Sequence, residues 1–481
     1  MRPPADSFMT GTSDSYGAVD TAFITALQTA LGSDHVRVDE ETRVAYGTDA
    51  LKKGQPADVV VWPGSTADVA AVMRLCTKQR VPVVPRGAGT GYTGGAVPTH
   101  GGVVLSLERL NRILEIDEAN LLAVVEAHVI TGDLQRAVEA VGLFYPPDPA
   151  SLSTSTIGGN IAECAGGPRA FKYGVTKRYV LGLEAVLPSG EVVHTGSKSV
   201  KNVVGYDLTQ LLVGSEGTLA VITKATLRLV PLPPTAVTLR ATFATIRDAV
   251  DAVTGLIRAR VTPSALELID GDSLDAVATN LGTHALAPEG TGAVLLLDVD
   301  GLEAAVGEEA ARVGAACEAA GATEVLVARD RETREELWRV RRALSLSLRV
   351  LAPLKINHDV VVPKGRIPEL FDLIARLRAE TPGVRLPCFG HVGDGNIHVN
   401  MMLDPADGAA VAAARRAERA LFEGVVALEG SISGEHGIGF SKKPFVPLEL
   451  SSVEIALMRR VKAAFDPMNI LNPGKMFPDH T

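Results

Sequence analysis

The residues best suited to chemistry in this chain lie around a turn flanked by two histidines. In HVGDGNIHVN, His391–Asn400, the midpoint falls on Asp394-Gly395. Asp-Gly is among the most favourable two-residue hairpin turns, because both central residues need φ > 0. That turn predicts His391 directly opposite His398. Cross-strand partners share a face with Cβ atoms roughly 5 Å apart, so two imidazoles can chelate one ion there, with Asn400 on the face of His398. A second segment, SGEHGIG, sets Glu435 and His436 between Gly434 and Gly437, adding a carboxylate and a third imidazole on a tight loop. Two histidines and one carboxylate, His391, His398 and Glu435, with open positions suit a divalent zinc, manganese or iron ion. The competing reading is one surface histidine and one satisfied packing histidine.

These residues need a scaffold, and size and composition bound it. A chain of 481 residues with a hydrophobic fraction of 46% has material for two or three domains. The net charge of −9 argues against a broad surface for nucleic acid. Cys76, Cys164, Cys317 and Cys388 are too dispersed for a CxxC pair, so neither an iron-sulfur cluster nor a thiolate zinc site is encoded. Without a secretory signal, free thiols in a cytoplasmic setting are expected. No apolar run approaches the roughly 20 residues of a membrane span, so no transmembrane segment is expected and any contact with the inner membrane would be peripheral.

Residues 1–20 open on a stretch rich in Pro, Ser, Thr and Gly and read as a disordered tail. A helix is predicted from Ala22 to Leu31, a strand over Ala57–Pro63, a helix from Thr66 to Gln79, and a strand over Val81–Pro85. RGAGTGYTGG, Arg86–Gly95, follows. It matches GxGxxG loosely but leads into the strand VVLSL and not into a helix, so it is a loop between strands whose free N–H groups can nest a pyrophosphate. Two further glycine-rich segments, TIGGNIAECAGG (Thr156–Gly167) and GYDLTQLLVGSEGTLAVIT (Gly205–Thr223), suggest one extended ligand lying over a β scaffold. Prolines 231, 233 and 234 mark a linker. Beyond it, alanine-rich helices alternate with strands in an order resembling a ferredoxin-like layer. Long helices are expected over Arg331–Leu351 and Pro368–Glu380, and the Pro-Asn and Pro-Gly turns near the C-terminus point to a fixed terminal segment.

From residue 22 to 478 these motifs together resemble the vanillyl-alcohol-oxidase-type flavoproteins, and within them the subfamily of GlcD-type glycolate oxidases, FAD-linked D-lactate dehydrogenase and D-2-hydroxyglutarate dehydrogenase. The resemblance implies an α+β fold. A PCMH-type FAD-binding domain of two α+β subdomains spans 21–234, a ferredoxin-like antiparallel-sheet cap 235–430, and a C-terminal helical segment, 431–481, returns to the FAD domain. PRGAGTGYTGG looks like the family's pyrophosphate loop and implies that Pro85, Arg86, Gly87, Ala88, Gly89, Thr90, Gly91, Gly94 and Gly95 hold the cofactor. YPPDPAS adds Pro147, Asp148 and Ser151. TIGGNIAECAGG adds Thr156, Gly158, Gly159, Asn160, Ala165 and Gly166; GSEGTLAVIT adds Glu216, Gly217 and Ile222; FDPMNILNPGK adds Asn472. Some members attach FAD through a histidine of the pyrophosphate loop. This loop has none, which implies non-covalent FAD.

The family holds its substrate carboxylate with an Arg, a hydroxyl residue one turn on and a Lys beyond, which here are Arg341, Ser345 and Lys355. Arg341 and Ser345 are four apart and share a helix face. The family more often has Thr where Ser345 stands and an acidic residue where His358 stands. The implied activity is oxidation of a D-2-hydroxy acid, glycolate, D-lactate or D-2-hydroxyglutarate, to the 2-oxo acid, with the metal stabilising the alkoxide and His436 as general base. Arg341 would grip the carboxylate bidentately. Electrons would leave to a quinone, an electron-transfer flavoprotein or an iron-sulfur subunit, from a homodimer or a glycolate oxidase complex. Two other readings remain: a flavin transferase like alkyl-dihydroxyacetonephosphate synthase, and a flavin subunit inactive without its partners.

Overall fold

Short β-branched runs build the first layer. Val59–Val61, Val103–Ser106 and Val83–Arg86 pair in parallel, and Val36–Arg37 adds an antiparallel edge beside Val59–Val61. The computed structural model describes residues 16–479. The helix Thr66–Gln79 covers this sheet with Val69, Val72, Met73 and Cys76, all buried, and packs beside the helix Thr21–Leu31. Its start is fixed by Ser65, whose side chain accepts the Asp68 N–H, and it ends at Arg80 in the left-handed region. Of the expected tail, residues 1–15 lie outside the described residues. Residues 16–20 are tied down instead: the Tyr16 hydroxyl donates to the Asn469 carbonyl at 2.9 Å, and Asp20 caps the helix Thr21–Leu31.

The second layer is a five-stranded antiparallel sheet in the order Ile113–Asp117, Leu122–Glu126, Val221–Arg228, Val180–Val186, Val192–Gly196. Between the two sheets run the glycine-rich segments. One of them is more regular than the sequence reading: Ile157–Glu163 is a helix, with the Thr156 side chain accepting the Gly159 N–H at its start. Glycine disfavours helix by only about 1 kcal/mol, and a cap plus the burial of Ile157 and Ile161 outweighs it.

A strand beginning at Thr235, one residue beyond the proline linker, opens the third layer. Its first four strands, Ala322–Ala328, Thr235–Phe243, Ala293–Gly301 and Ala265–Asp270 in spatial order, are all antiparallel and carry the helices Ile246–Arg258 and Glu303–Ala319 in a ferredoxin-like plan. Cys388–Gly390, Asn396–Leu403 and Leu354–Val361 extend it to seven strands. Both faces are buried. Helices Ile367–Glu380 and Gly408–Ala427 join one face, and Gly271–Leu281 and Arg331–Ser347 cover the other. Asn396–Leu403 is accordingly buried at every position, although its sequence alternates polar Asn396, His398 and Asn400 with apolar Ile397, Val399 and Met401. After the helix Ser452–Phe465, Leu471 bridges Val83 and the Asn472 N–H donates to the Val83 carbonyl at 2.7 Å, so the C-terminus closes on the first sheet. Among the described residues no helix is long and apolar enough to cross a membrane.

Candidate active site

The histidine hairpin forms with a different register from the one its Asp-Gly predicts. Phe389, not His391, pairs with His398. His391 pairs with Asn396, whose N–H donates to its carbonyl at 3.2 Å, and Val392–Asp394 make one 3-10 turn closed by Gly395 at φ 87°. A two-residue turn needs φ > 0 at both centres; Asp394 stays in the right-handed turn and only Gly395 crosses over, so the loop takes four residues. His391 and His398 become diagonal neighbours on one face, their ring centroids 5.3 Å apart. The register expectation fails, yet the two rings still meet. Asn400 is fully buried and does not line the cavity; its Oδ1 accepts from the Asn357 amide at 2.8 Å, and Asn357 lines the cavity in its place.

Glu435 completes the cluster. Its Oε1 lies 3.2 Å from His391 Nε2 and 3.5 Å from His398 Nε2. Tetrahedral bonds of about 2.0–2.1 Å space ligands about 3.3 Å apart, so the donor set and its spacing both fit a divalent ion. Burial, with His436 beside it, lowers His398 to about 3 and keeps it neutral, whereas Glu267 and Glu435 outweigh burial at His391 and hold it well above the usual histidine range, so an ion bound there would displace the His391 proton. The ring is also stacked on His436, centroids 5.1 Å apart. Asp359, His398 and His436 form a second group close enough to share an ion. There, however, Asp359 Oδ2 already accepts the N–H groups of Gly434, Glu435 and His436 at 2.8–2.9 Å, and Oδ1 accepts from Asn396 at 2.6 Å. Oδ2 is saturated and Oδ1 is already engaged once, so His391, His398 and Glu435 are the better set.

Two carboxylates missed in the sequence position this cluster. Glu267, wholly buried, receives His391 Nδ1 at 2.5 Å on one oxygen and Arg341 Nε at 2.7 Å on the other. Burial alone would raise it, but Arg341 and His391 outweigh that and hold it at about 2. A carboxylate behind a ligating imidazole fixes its tautomer and ring plane. Asp359 does the same for the loop. The strand Leu354–Val361 turns His358 the other way, against Phe422, with ring centroids 5.2 Å apart, and presents Asp359 to the site. The acidic position that the family comparison put at His358 is supplied one residue later. The signal in both cases was an acid inside an apolar strand, ALELID and NHDVVV.

The loop Ser433–Gly439 is also held from the side of the glycine-rich segments. Glu216 accepts the N–H of Ile438 on one oxygen and of Gly439 on the other, both at 2.7 Å. Asn472 braces the same corner, its amide donating to the Gly95 and Glu216 carbonyls at 3.0 and 2.8 Å.

A cavity of about 490 Å³ opens between the two halves, within the range of cofactor sites. Its lining contains Pro85, Arg86, Gly87, Ala88, Gly89, Thr90, Gly91 and Gly95 from the first loop; Ser151, Thr156, Gly158, Gly159, Asn160 and Ala165 from the second; and Glu216, Gly217 and Ile222 from the third. Five expected cofactor residues stand outside it. A side chain at Gly94 would strike Phe440, and one at Gly166 would meet Glu435 Oε2 at 2.7 Å, so these glycines make room for the C-terminal loop. Pro147 offers its carbonyl to Gln135 at 2.9 Å. Asp148, pushed up to about 7 by burial, accepts the Arg169 N–H, and Asn472 is the brace already described. Among the described residues, Asp49 Oδ2 and Glu163 Oε2 are buried polar atoms of cavity-lining residues without partners, and Asn357 Oδ1 is another, from the strand Leu354–Val361. Such a cradle fits a large polar cofactor.

On the opposite wall stand Arg341, Ser345, His391, His398, Glu435 and His436. Arg341 has its Nε and Nη2 turned to Glu267, which leaves a carboxylate ligand only its remaining side. Lys355 lies behind Ser345, its ammonium donating to the Ser345 carbonyl and hydroxyl at 2.8 and 2.6 Å, and burial lowers it to about 8.

Residues 232–476 match the FAD linked oxidases, C-terminal domain, and residues 57–196 match an FAD binding domain. The glycolate oxidase subunit GlcD of Bacillus subtilis is 43% identical over 440 residues, 90% of this chain and 92% of that protein. A D-lactate dehydrogenase of Anaerostipes hadrus is 38% identical over 434 residues, 88% and 90%. Among solved structures, p-cresol methylhydroxylase superposes with TM-score 0.78 over 95% of this chain and 96% of its own at 17% identity; alkyldihydroxyacetonephosphate synthase does so with 0.75 over 98% and 89% at 18%. With the cradle, the α+β layers and both domain matches in place, the chain belongs to the FAD-linked oxidases and is an FAD-binding oxidoreductase.

Proposed function

We propose that this chain oxidises a small D-2-hydroxy acid, glycolate, D-lactate or D-2-hydroxyglutarate, to the 2-oxo acid. One observation carries the reading: an imidazole, a two-histidine-one-carboxylate cluster and an arginine, supplied by the cap and by the loop 433–439 that follows it, line the same flavin cavity. The names of the relatives from Bacillus subtilis and Anaerostipes hadrus support the same substrate class. FAD, held without a covalent bond by the histidine-free loop 86–95, supplies the two-electron acceptor. A divalent zinc, manganese or iron ion held by His391, His398 and Glu435 would supply Lewis-acid polarisation of the substrate oxygens. The side of Arg341 turned from Glu267, with the Ser345 hydroxyl, receives the substrate carboxylate. Lys355 fixes Ser345. His436, half-buried at the cavity wall with its ring stacked on His398, takes the hydroxyl proton. The product leaves as the oxo acid, and a quinone, an electron-transfer flavoprotein or an iron-sulfur subunit collects the electrons. The subunit naming of the Bacillus subtilis relative also favours a multi-subunit assembly.

The test is the visible spectrum of the purified protein under anaerobic addition of each acid in turn. One of the three is expected to bleach the flavin band. Bound flavin that none of them reduces, even after zinc or manganese is added, would reject the reading in favour of the transferase or a partner-dependent flavoprotein.

The metal makes its own prediction. Stripping it with a chelator is expected to abolish bleaching by the acid while dithionite still reduces the flavin, and added zinc or manganese should restore it. Glu267→Gln should weaken metal affinity by about 10–100-fold, the usual effect of removing a carboxylate behind a ligating histidine. Bleaching indifferent to chelation would remove the metal from the reaction.

A further inference from the structure

The cavity contains a carboxyl that the reaction above does not use. Glu163 ends the helix Ile157–Glu163 and lines the cavity. Its surroundings are drawn from three segments: a Cβ built on Gly95 would stand 3.0 Å from Oε1, and one built on Gly437 would meet Oε2 and, at 3.0 Å, Glu216 Oε1. Two carboxyl groups thus converge on one glycine. Glu216 is fixed as an acceptor by the N–H groups of Ile438 and Gly439. Glu163 Oε2 is buried and has no partner among the described residues.

Two carboxylates this close do not both ionise, and the proton stays on the one that lacks donors. Asp49 adds a further negative charge facing Glu163. Lys442 is the opposing cation, but its ammonium is occupied by the carbonyls of Asp359 and Ile432 and the Ser433 hydroxyl. Burial, then Glu216 and Asp49, push the Glu163 carboxyl well above the usual carboxylate range. A protonated carboxyl carries one O–H donor; Oε2 faces Gly437 and Glu216, and the oxygen beside the cavity-lining glycines Gly91 and Gly95 is Oε1, so that is the oxygen placed to donate into the cavity. The group that belongs in this cavity is FAD, whose ring system offers carbonyl oxygens and ring nitrogens as acceptors.

We propose that Glu163 is protonated in the folded protein and donates its O–H to the bound flavin, raising the flavin's affinity for electrons. A neutral donor stabilises the electron-rich reduced ring more than the oxidised one, whereas a carboxylate at the same place would do the opposite. The proposal rests on the flavin reading of the cavity and is independent of which hydroxy acid is the substrate.

The experiment compares the flavin midpoint potential of the full-length holoprotein with that of Glu163→Gln and Glu163→Leu, each titrated reductively against a reference dye. Glu163→Gln keeps a donor and should match the wild type. Glu163→Leu should weaken binding of reduced relative to oxidised flavin by about tenfold, a fall of about 30 mV for a two-electron couple. A rise in Glu163→Leu would mean that an anion had been removed, and an unchanged potential that Glu163 does not reach the flavin; either overturns the proposal. Should Glu163→Leu lose its flavin, difference infrared spectra of wild type against Glu163→Gln decide. A protonated-carboxyl C=O band present in the first and missing in the second upholds the proposal, and its absence from the wild type overturns it. A wild-type chain that binds no flavin at all would overturn the cofactor reading together with the proposal.

Discussion

Arg341→Ala is expected to lower the unfolding free energy by about 3–5 kcal/mol, the cost of leaving a buried charge without its partner. Arg341 and Glu267 are both buried, and the guanidinium faces Glu267 through Nε and Nη2. Removing the arginine strands the carboxylate behind His391, so the loss should appear in urea melts and again in metal affinity. Acid changes the outcome in a defined direction. Glu267 sits at about 2 against an ordinary 4.5, so its contribution is present in full above about pH 4.5 and fades as the pH falls toward about 2. The stability gap between wild type and Arg341→Ala should therefore narrow on acidification. The double variant Arg341→Met/Glu267→Leu should recover part of the stability lost by the single one. An Arg341→Ala protein with an unchanged melt and only a raised KM would mean that this arginine serves the substrate and not the fold.

Asp359→Ala should be equally severe. It removes the acceptor for three consecutive N–H groups at Gly434, Glu435 and His436 and for the Asn396 amide. It also removes a negative charge that faces buried Lys442. Each buried donor left unpaired costs about 1–3 kcal/mol, and part of this will be relieved by rearrangement of the loop. Since Glu435 and His436 ride on that loop, anaerobic stopped-flow should show hydroxy-acid reduction of the flavin slowed by about 100-fold or more, as a 1 Å misplacement can do. Dithionite reduction should be unaffected. Wild-type rates in a folded Asp359→Ala protein would mean that the loop holds its shape without this anchor.

The large pattern of the fold was readable because it depends on local chemistry. Ser65 before a periodic run, the prolines at 231, 233 and 234, and glycine loops between β-branched strands each act within a few residues, and the helix Thr66–Gln79 lies where they put it. Non-local register was not readable in the same way. Asp394-Gly395 has the composition of a two-residue turn, but the pairing of Phe389 with His398 was settled by the strands on either side of the hairpin, Ala265–Asp270 and Leu354–Val361. The histidine cluster survived because a diagonal pair on one face is still within reach. A slip of one residue reverses a side chain completely, and at His358 and Asp359 that decided which of two adjacent polar residues faces the site. The buried acids Glu267 and Asp359 escaped notice for a related reason: a single charge in an apolar segment shows its role only when its donors arrive from distant sequence.

The loop Ser433–Gly439 is gripped by Asp359 from the seven-stranded sheet and by Glu216 from the flavin-binding half, at opposite ends of seven residues. It therefore works as a gauge block between two parts that were made separately in the chain: the position of Glu435 is measured from both at once. A cap that drifted from the flavin half would have to stretch hydrogen bonds to a carboxylate at one end or the other, so errors in alignment are resisted at the place where they would do most harm. The same arrangement limits inheritance. A cap exchanged from a relative would arrive with its own Asp-to-loop spacing, and unless the segment carrying Glu216 came with it, the two carboxylates would specify different positions for one loop.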